Sequence, residues 1–390
     1  VKNINMEYDD IIEQVRQTVA RICTEFPGEY WREKDRNAEY PGEFVQALTE
    51  AGLLACLIPE EFGGSGLPLK IAAEIVLAIH ENGANAAACH AQMYTMGTIL
   101  KHGSIEQKTK FLPSIASGDL RLQAFGVTEP TAGTDTTSIT TTAVRDGDNY
   151  IVNGQKVWIS RAEHSDLMVL LARTTSRDAV PKRTKGLSVF IVDINDAKNS
   201  GMVIQPIRTM LNHATTEIFF DDVPVPAENL IGTEGEGFSY ILSGMNAERI
   251  LIASECIGDA NWFIDKATQY ANERKVFGRP IGQNQGIQFP IARAYAQTEA
   301  AALMVHKAIS LYDQGEDCGT EANMAKLLAS EASWAAADMC MQTHGGYGLA
   351  EEYDIERKFR ETRLYQIAPI STNLILAYLG EHRLGLPRSY

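Results

Sequence analysis

Residues 126–135 read Gly-Val-Thr-Glu-Pro-Thr-Ala-Gly-Thr-Asp, short polar side chains on a backbone bent by glycine and proline. Thr128, Thr131, Thr134 and Asp135 make this stretch a hydrogen-bonding surface. It cannot fill a core, because so many polar groups would need buried partners. Alone, such a cluster reads as a surface turn between strands. Other residues suited to binding chemistry accompany it. Trp158, with Ser160 two residues on along one strand face, can supply a flat apolar wall, although it is equally readable as a core aromatic. Arg274, in Asn272-Glu-Arg-Lys275, offers a fork that matches phosphate oxygens, or is a solvated arginine at a helix end. Gly345-Gly346 permits close backbone approach to a ligand, and serves a helix C-cap equally well. No GxGxxG fingerprint follows a strand, so a Rossmann site is not supported.

Three regions must position these residues. Residues 6–118 read as helices. Tyr8–Ile22 carries apolar residues at helical spacing, Pro41–Gly52 and Pro68–Glu81 each begin at a proline suited to a first turn, and Ala84–His102 is rich in small residues. From 121 to 230 the pattern changes to strands. Asp146-Gly147 and Asn153-Gly154 are turn signals, the second a strong hairpin signal, and Leu167–Ala172, Leu187–Val192 and Glu217–Phe220 are short β runs. Val180–Lys185 reads as a surface loop. Beyond Gly232, Phe238–Ala271, Ile287–Gln314 and Thr320–Met341 are long helices. The fold class is α+β, with an N-terminal helical domain (1–120), a middle β domain (121–232) and a C-terminal helical bundle (233–390).

The chain has 390 residues, 45% hydrophobic and 22% charged, with a formal net charge of −15. These are globular values, and the acidity argues against nucleic acid or an anionic membrane as main partners. The six cysteines form no CxxC pair or metal-ligand spacing, which points to reduced core thiols. Val1–Asp10 is polar and acidic where a signal peptide would be apolar, and no apolar run approaches a membrane span. The expectation is a soluble cytoplasmic protein, or a mitochondrial-matrix one if eukaryotic and already processed, without metal and without membrane insertion.

Gly126–Asp135 closely resembles the first signature of the acyl-CoA dehydrogenase family, which are FAD enzymes. Lys156-Val-Trp-Ile-Ser160 resembles the segment whose tryptophan lies against the flavin, and Phe219–Pro226 followed by Glu228–Gly232 resembles the exit from the strand domain. Glu273-Arg274, Phe277-Gly278, Pro280-Ile281 and Gln285 stand at family spacing, and Gln342-Thr-His-Gly-Gly-Tyr-Gly348 resembles the second signature. The resemblance assigns Phe125, Val127, Thr128, Trp158, Ile159, Ser160, Ser371 and Asn373 to the flavin. It places Arg274, Phe277, Gln285, Gln342, Gly345 and Gly346 against the FAD of a neighbouring subunit, which implies a homotetramer. Thr134, Asn246 and Arg249 fall to the acyl-CoA substrate.

The reaction so implied is α,β-desaturation of an acyl-CoA thioester, with a carboxylate taking the α-proton in a site dry enough to raise its basicity. At the commonest family position for that glutamate, this chain has Pro369. The isovaleryl-CoA and long-chain members place the base on another helix, directly before an arginine, and Glu248-Arg249 matches that pattern. Ile241, Leu242, Met245, Ile250, Leu251 and Ile252 would desolvate a carboxylate there, and Glu255, two turns on, is its nearest rival. The implied electron acceptor is an electron-transfer flavoprotein. Alternatives on the same fold are a flavin oxidase or monooxygenase using O2, a catalytically retired flavin-binding member, and a reductase running the reaction backwards. Arg161, where many members carry asparagine, either meets a polar ligand group or pairs with Glu163. His213 receives no role. Met96 and Phe125 either line an acyl pocket or belong to the core.

Overall fold

The computed structural model describes residues 2–389, with side chains from residue 8 onward. Six α-helices come first: α1 (Lys2–Glu25), α2 (Gly28–Asn37), α3 (Gly42–Glu50), α4 (Leu69–Glu81), α5 (Ala87–His102) and α6 (Ile105–Ser117). Next come β1 (Leu122–Gly126), β2 (Thr142–Asp146), β3 (Asn149–Ser160), β4 (Leu167–Arg173), β5 (Leu187–Asp193), the short α7 (Ile194–Lys198), β6 (Met202–Pro206), β7 (Thr215–Pro226) and β8 (Leu230–Ile231). The long α8 (Gly237–Glu273), the strands β9 (Lys275–Val276) and β10 (Arg279–Pro280), then α9 (Gln285–Asp313), α10 (Gly319–His344), α11 (Ile355–Arg363) and α12 (Thr372–His382) complete the chain. Two compact units result: residues 38–67 with 87–245, and residues 1–37, 68–86 and 246–390.

In the sheet unit the strand order is β6-β7-β3-β2-β4-β5-β8, and β1 joins β4 in parallel. β4 and β5 are apolar and buried almost throughout. Their period of two divides them between two cores. Leu167, Val169, Leu171, Val189 and Ile191 pack with Met96, Ile99, Phe111 and Ile115 from the helices. Met168, Leu170, Phe190 and Val192 pack with Tyr150, Val152, Ile218 and Val225 of β3 and β7. Met96 is thus fully buried core, whereas Phe125 is only partly buried, edge-on to Tyr94 at 5.5 Å.

The Asn153-Gly154 hairpin does not form. The β2–β3 turn is made at Gly147 (φ +56), and β3 runs straight through Asn153. Gly154 instead occupies a bulge opposite β7 with φ +144, where a Cβ would lie 2.6 Å from Thr141 Oγ1. Close approach, rather than a turn, requires that glycine. Pro41 and Pro68 each stand one residue ahead of their helices, as N-caps. Helix α5 starts at Ala87 rather than Ala84, because the preceding backbone is engaged elsewhere: the Ala84 carbonyl accepts from Lys358 Nζ, and the Ala86 N–H donates to His80 Nε2.

The helical unit packs alanine-rich faces closely, Ala260 and Ala267 of α8 meeting Ala336, Ala337 and Cys340 of α10 around Phe263 and Ile355. Within it lies a buried polar cluster, in which Asp259 pairs with Lys358 and accepts from His80 Nδ1 at 2.8 Å. Burial pushes the Asp259 carboxyl up, but Lys358 and His80 outweigh it and hold it below the usual range. All six cysteines are free and buried, as their scattered apolar settings predict. No described helix is long and apolar enough to cross a membrane.

Candidate active site

Trp158 is not a core aromatic: it is 59% exposed, and its φ of +61 is left-handed, an unusual state for a bulky residue. In a regular strand Lys156 and Trp158 would share a face, yet Lys156 is completely buried. The β3–β7 register slips between Lys156 and Ile159, and this bulge turns the indole outward. Left-handed backbone at such a residue costs of order 1–3 kcal/mol and clusters at binding sites. The segment containing Val127 and Thr128 is pinned beside it. Val157 N–H donates to the Thr128 carbonyl at 2.9 Å, and Lys156 Nζ donates to the Val127 carbonyl at 3.0 Å. Ile159 is buried and Ser160 half-buried at the end of the strand. Thr134 is exposed next to Asp135, whose carboxylate accepts from Ser138 Oγ and pairs with Arg183 at 2.6 Å.

In the helical unit, Glu248 is 6% exposed on α8, flanked by the buried Ala247, Ile250 and Leu251. Arg249, 9% exposed, donates from Nη1 to Asn246 Oδ1 at 2.7 Å. Burial lowers the Arg249 pKa, and the charge of Glu248 opposes that shift. Lys326 responds likewise: burial pushes it down to about 8 against the pull of Cys256 and Glu248, while its ammonium donates to the Ile370 carbonyl at 2.7 Å. Glu255 is fully buried, 3.9 Å from His80, at the interior cluster. Pro369 follows a cis peptide bond. Ser371 caps α12 through the Leu374 N–H, and Asn373 on its first turn is exposed.

A separate groove of 570 Å³ in the helical unit gathers Arg274, Gln342, Gly345 and Gly346 with Tyr270 and Tyr347. Arg274 lies over the Tyr347 ring at 5.6 Å, and Gly345 ends α10 at φ +58, ψ −132, a conformation open to glycine alone. Phe277, at the tip of the β9–β10 hairpin, has φ +52 and is 101% exposed. Gln285 is exposed at the start of α9.

In the sheet unit an outward indole on a strained backbone, with a hydroxyl and backbone segment beside it, has the chemistry to meet a flavin ring, and in the helical unit a guanidinium among glycines has the chemistry to meet a pyrophosphate. The chain matches three family models, the acyl-CoA dehydrogenase N-terminal domain over residues 9–119, the middle domain over 124–223 and the C-terminal domain over 235–373. The chain belongs to the acyl-CoA dehydrogenase family. It is 36% identical to an acyl-CoA dehydrogenase of Mycobacterium bovis, over 96% of each chain. It is also 36% identical to an acryloyl-CoA reductase (NADH) of Anaerotignum propionicum, over 86% of this chain and 84% of that one. The structure of a glutaryl-coenzyme A dehydrogenase in complex with glutaryl-CoA superposes with a TM-score of 0.89 at 30% identity, covering 97% of this chain and 96% of that one. The protein is an oxidoreductase, and its cofactor is FAD.

Two features of this chain escaped the sequence reading. Lys156 and Glu129 form a buried ion pair at 2.8 Å, and Glu129 also accepts from the Thr140 and Thr141 amides, so the family's first signature is stitched to β3 from inside. Gln92 on α5 is completely buried, and neither of its amide atoms has a partner among the described residues. The pairing of an acid and a base 27 residues apart leaves no local pattern. A lone glutamine in a small-residue helix leaves none either.

Proposed function

We propose that the protein desaturates an acyl-CoA thioester between its α and β carbons, with Glu248 as the base that takes the α-proton. The observation that carries the reading is a buried carboxylate directly before a buried arginine on α8, in a chain with Pro369 at the other family position for a base. When bound, FAD supplies the acceptor for the β-hydride. Val127, Thr128, Ile159 and Ser160 hold the ring edge and Trp158 walls its face, with Phe125, Ser371 and Asn373 completing the flavin contacts. Arg249, kept in place by Asn246, orients the glutamate or the thioester. Thr134 serves the CoA portion. Arg274, Phe277, Gln285, Gln342, Gly345 and Gly346 serve the FAD of a neighbouring subunit in a homotetramer, and an electron-transfer flavoprotein receives the electrons. The fully exposed Phe277 and the open groove around Arg274 support that assembly.

The test is an anaerobic titration of the holoprotein with short, branched, long and aromatic acyl-CoA thioesters, following flavin bleaching. Glu248→Gln should retain FAD and lose roughly a hundred- to ten-thousand-fold in bleaching rate. An unchanged rate removes Glu248 from the role. A reductive role is the second reading, favoured by the relative named as an acryloyl-CoA reductase. Oxidation of the reduced holoprotein by enoyl-CoA, with no bleaching by saturated thioesters, would decide for it.

A further inference from the structure

Arg161 stands just past β3 with φ +61, only 6% exposed, and no ion pair joins it to Glu163 among the described residues. Its backbone N–H donates to the Ala214 carbonyl at 2.6 Å. Its Nη1 donates to Asn212 Oδ1 at 3.2 Å, and Asn212 Nδ2 in turn donates to Ser160 Oγ at 2.8 Å. Asn212 is itself left-handed, at φ +50, with its carbonyl accepting from Thr215 Oγ1 at 2.6 Å. Two left-handed residues, one on each of two neighbouring chain segments, thus bring a guanidinium, an amide and a hydroxyl into line.

The chemistry of the three groups fixes the direction of the chain. A guanidinium can only donate, so the amide must turn its oxygen to Arg161 and its NH2 to Ser160. Ser160 Oγ then accepts, and its own proton points away from Asn212. No described residue takes that proton. The cation at the head of the chain polarises each bond along it. We infer that Arg161 and Asn212 are positioning residues that lock Ser160 as a hydrogen-bond donor toward an acceptor atom on the flavin ring. The inference rests on the reading of Ser160 as a flavin contact. It gives Arg161 a function that neither a surface ion pair nor a phosphate contact would supply.

Asn212→Asp tests it with little change of shape. Aspartate tolerates the left-handed backbone and pairs with Arg161, but it has no donor for Ser160, whose proton must then turn inward. The readouts are FAD affinity of the apoprotein and the visible absorption bands of bound FAD, with Ser160→Ala, the double variant, Arg161→Met and Arg161→Lys alongside. Ser160→Ala should weaken FAD binding about tenfold and shift the bands, as expected for the loss of one good hydrogen bond. Asn212→Asp should reproduce both effects with thermal stability unchanged or raised. The double variant should be no worse than either single one. Arg161→Met should follow Asn212→Asp, and Arg161→Lys, which keeps a donor-only group, should restore the parent bands. If Ser160→Ala alters binding and bands while Asn212→Asp does not, the positioning roles fall and the Ser160 contact stands. Silence of Ser160→Ala overturns both. Additive losses in the double variant also overturn the positioning roles.

Discussion

Lys156→Met should destabilise the sheet unit by about 3–5 kcal/mol, the cost of leaving one member of a buried ion pair behind. Lys156 and Glu129 meet with side chains 0% and 2% exposed. Burial pushes Lys156 down to about 8, against the pull of Glu129. For Glu129, burial acts upward, but the charge and hydrogen bond of Lys156 and the bonds from Thr140 and Thr141 outweigh it and hold the carboxyl at about 2. The depressed carboxyl is worth about 3 kcal/mol. That stability is present above the unfolded value of 4.5 and lost as pH falls toward about 2. The depressed ammonium has the opposite sign: it costs a similar amount at neutral pH, a cost that fades only as pH rises from about 8 to 10.5. The intact pair therefore contributes little net, and its contribution is flat between about pH 5 and 7. Methionine removes the charge and hydrogen bond of Lys156, the largest of the effects that hold Glu129 down, so the carboxyl titrates higher than in the parent. The variant should therefore lose less stability than the parent as pH falls through 4.5. Thermal unfolding should show a midpoint about 10 °C below the parent at pH 8, and Glu129→Gln with Lys156→Met should recover most of it. A single variant within about 1 kcal/mol of the parent, or one that loses as much stability as the parent on acidification, would refute the argument.

Other outcomes follow from individual residues. Gly154→Ala should lower the unfolding midpoint, because φ is +144 and the new methyl would meet Thr141; the cost should exceed the ~0.4–1 kcal/mol that the same change gains where the backbone is compatible. Trp158→Ala should leave unfolding within about 0.5 kcal/mol of the parent, as expected for an exposed side chain, yet weaken FAD binding in an apoprotein titration; unaltered binding would remove the indole from the flavin site. Gln92→Leu should raise stability by about 1–3 kcal/mol by deleting an unpaired buried amide, so a fall in the midpoint would show that the amide is satisfied. Phe277→Asp should not destabilise the subunit but should shift its sedimentation toward smaller species, and an unchanged profile would count against the tetramer.

The fold class was legible because the hydrophobic period changes from helical to alternating near residue 121 and back after Gly232, and the order of apolar residues alone carries that signal. The signature segments single out Trp158, Ser160 and Arg274, of which the structure exposes Trp158 and Arg274 and half-buries Ser160. What was illegible depends on pairing across the chain. Asn153-Gly154 has turn chemistry, but β7 lies alongside and converts the glycine into a bulge. Trp158 looked equally like core, since nothing local announces the register slip that turns it out. Arg161 could not be separated from a simple partner of Glu163, because Asn212 lies fifty-one positions away.

The alternation of β4 and β5 between two cores bears on how this protein can change length. Inserting one residue in β4 would exchange its two faces, carrying Leu167, Val169 and Leu171 into the space of Met168 and Leu170 and disrupting both cores at once. Insertions and deletions among relatives should therefore avoid these strands and collect in the connection from Thr174 to Gly186, which is mostly exposed and polar. The same stretch is where a fluorescent label or an affinity tag could be accommodated with the strand registers intact.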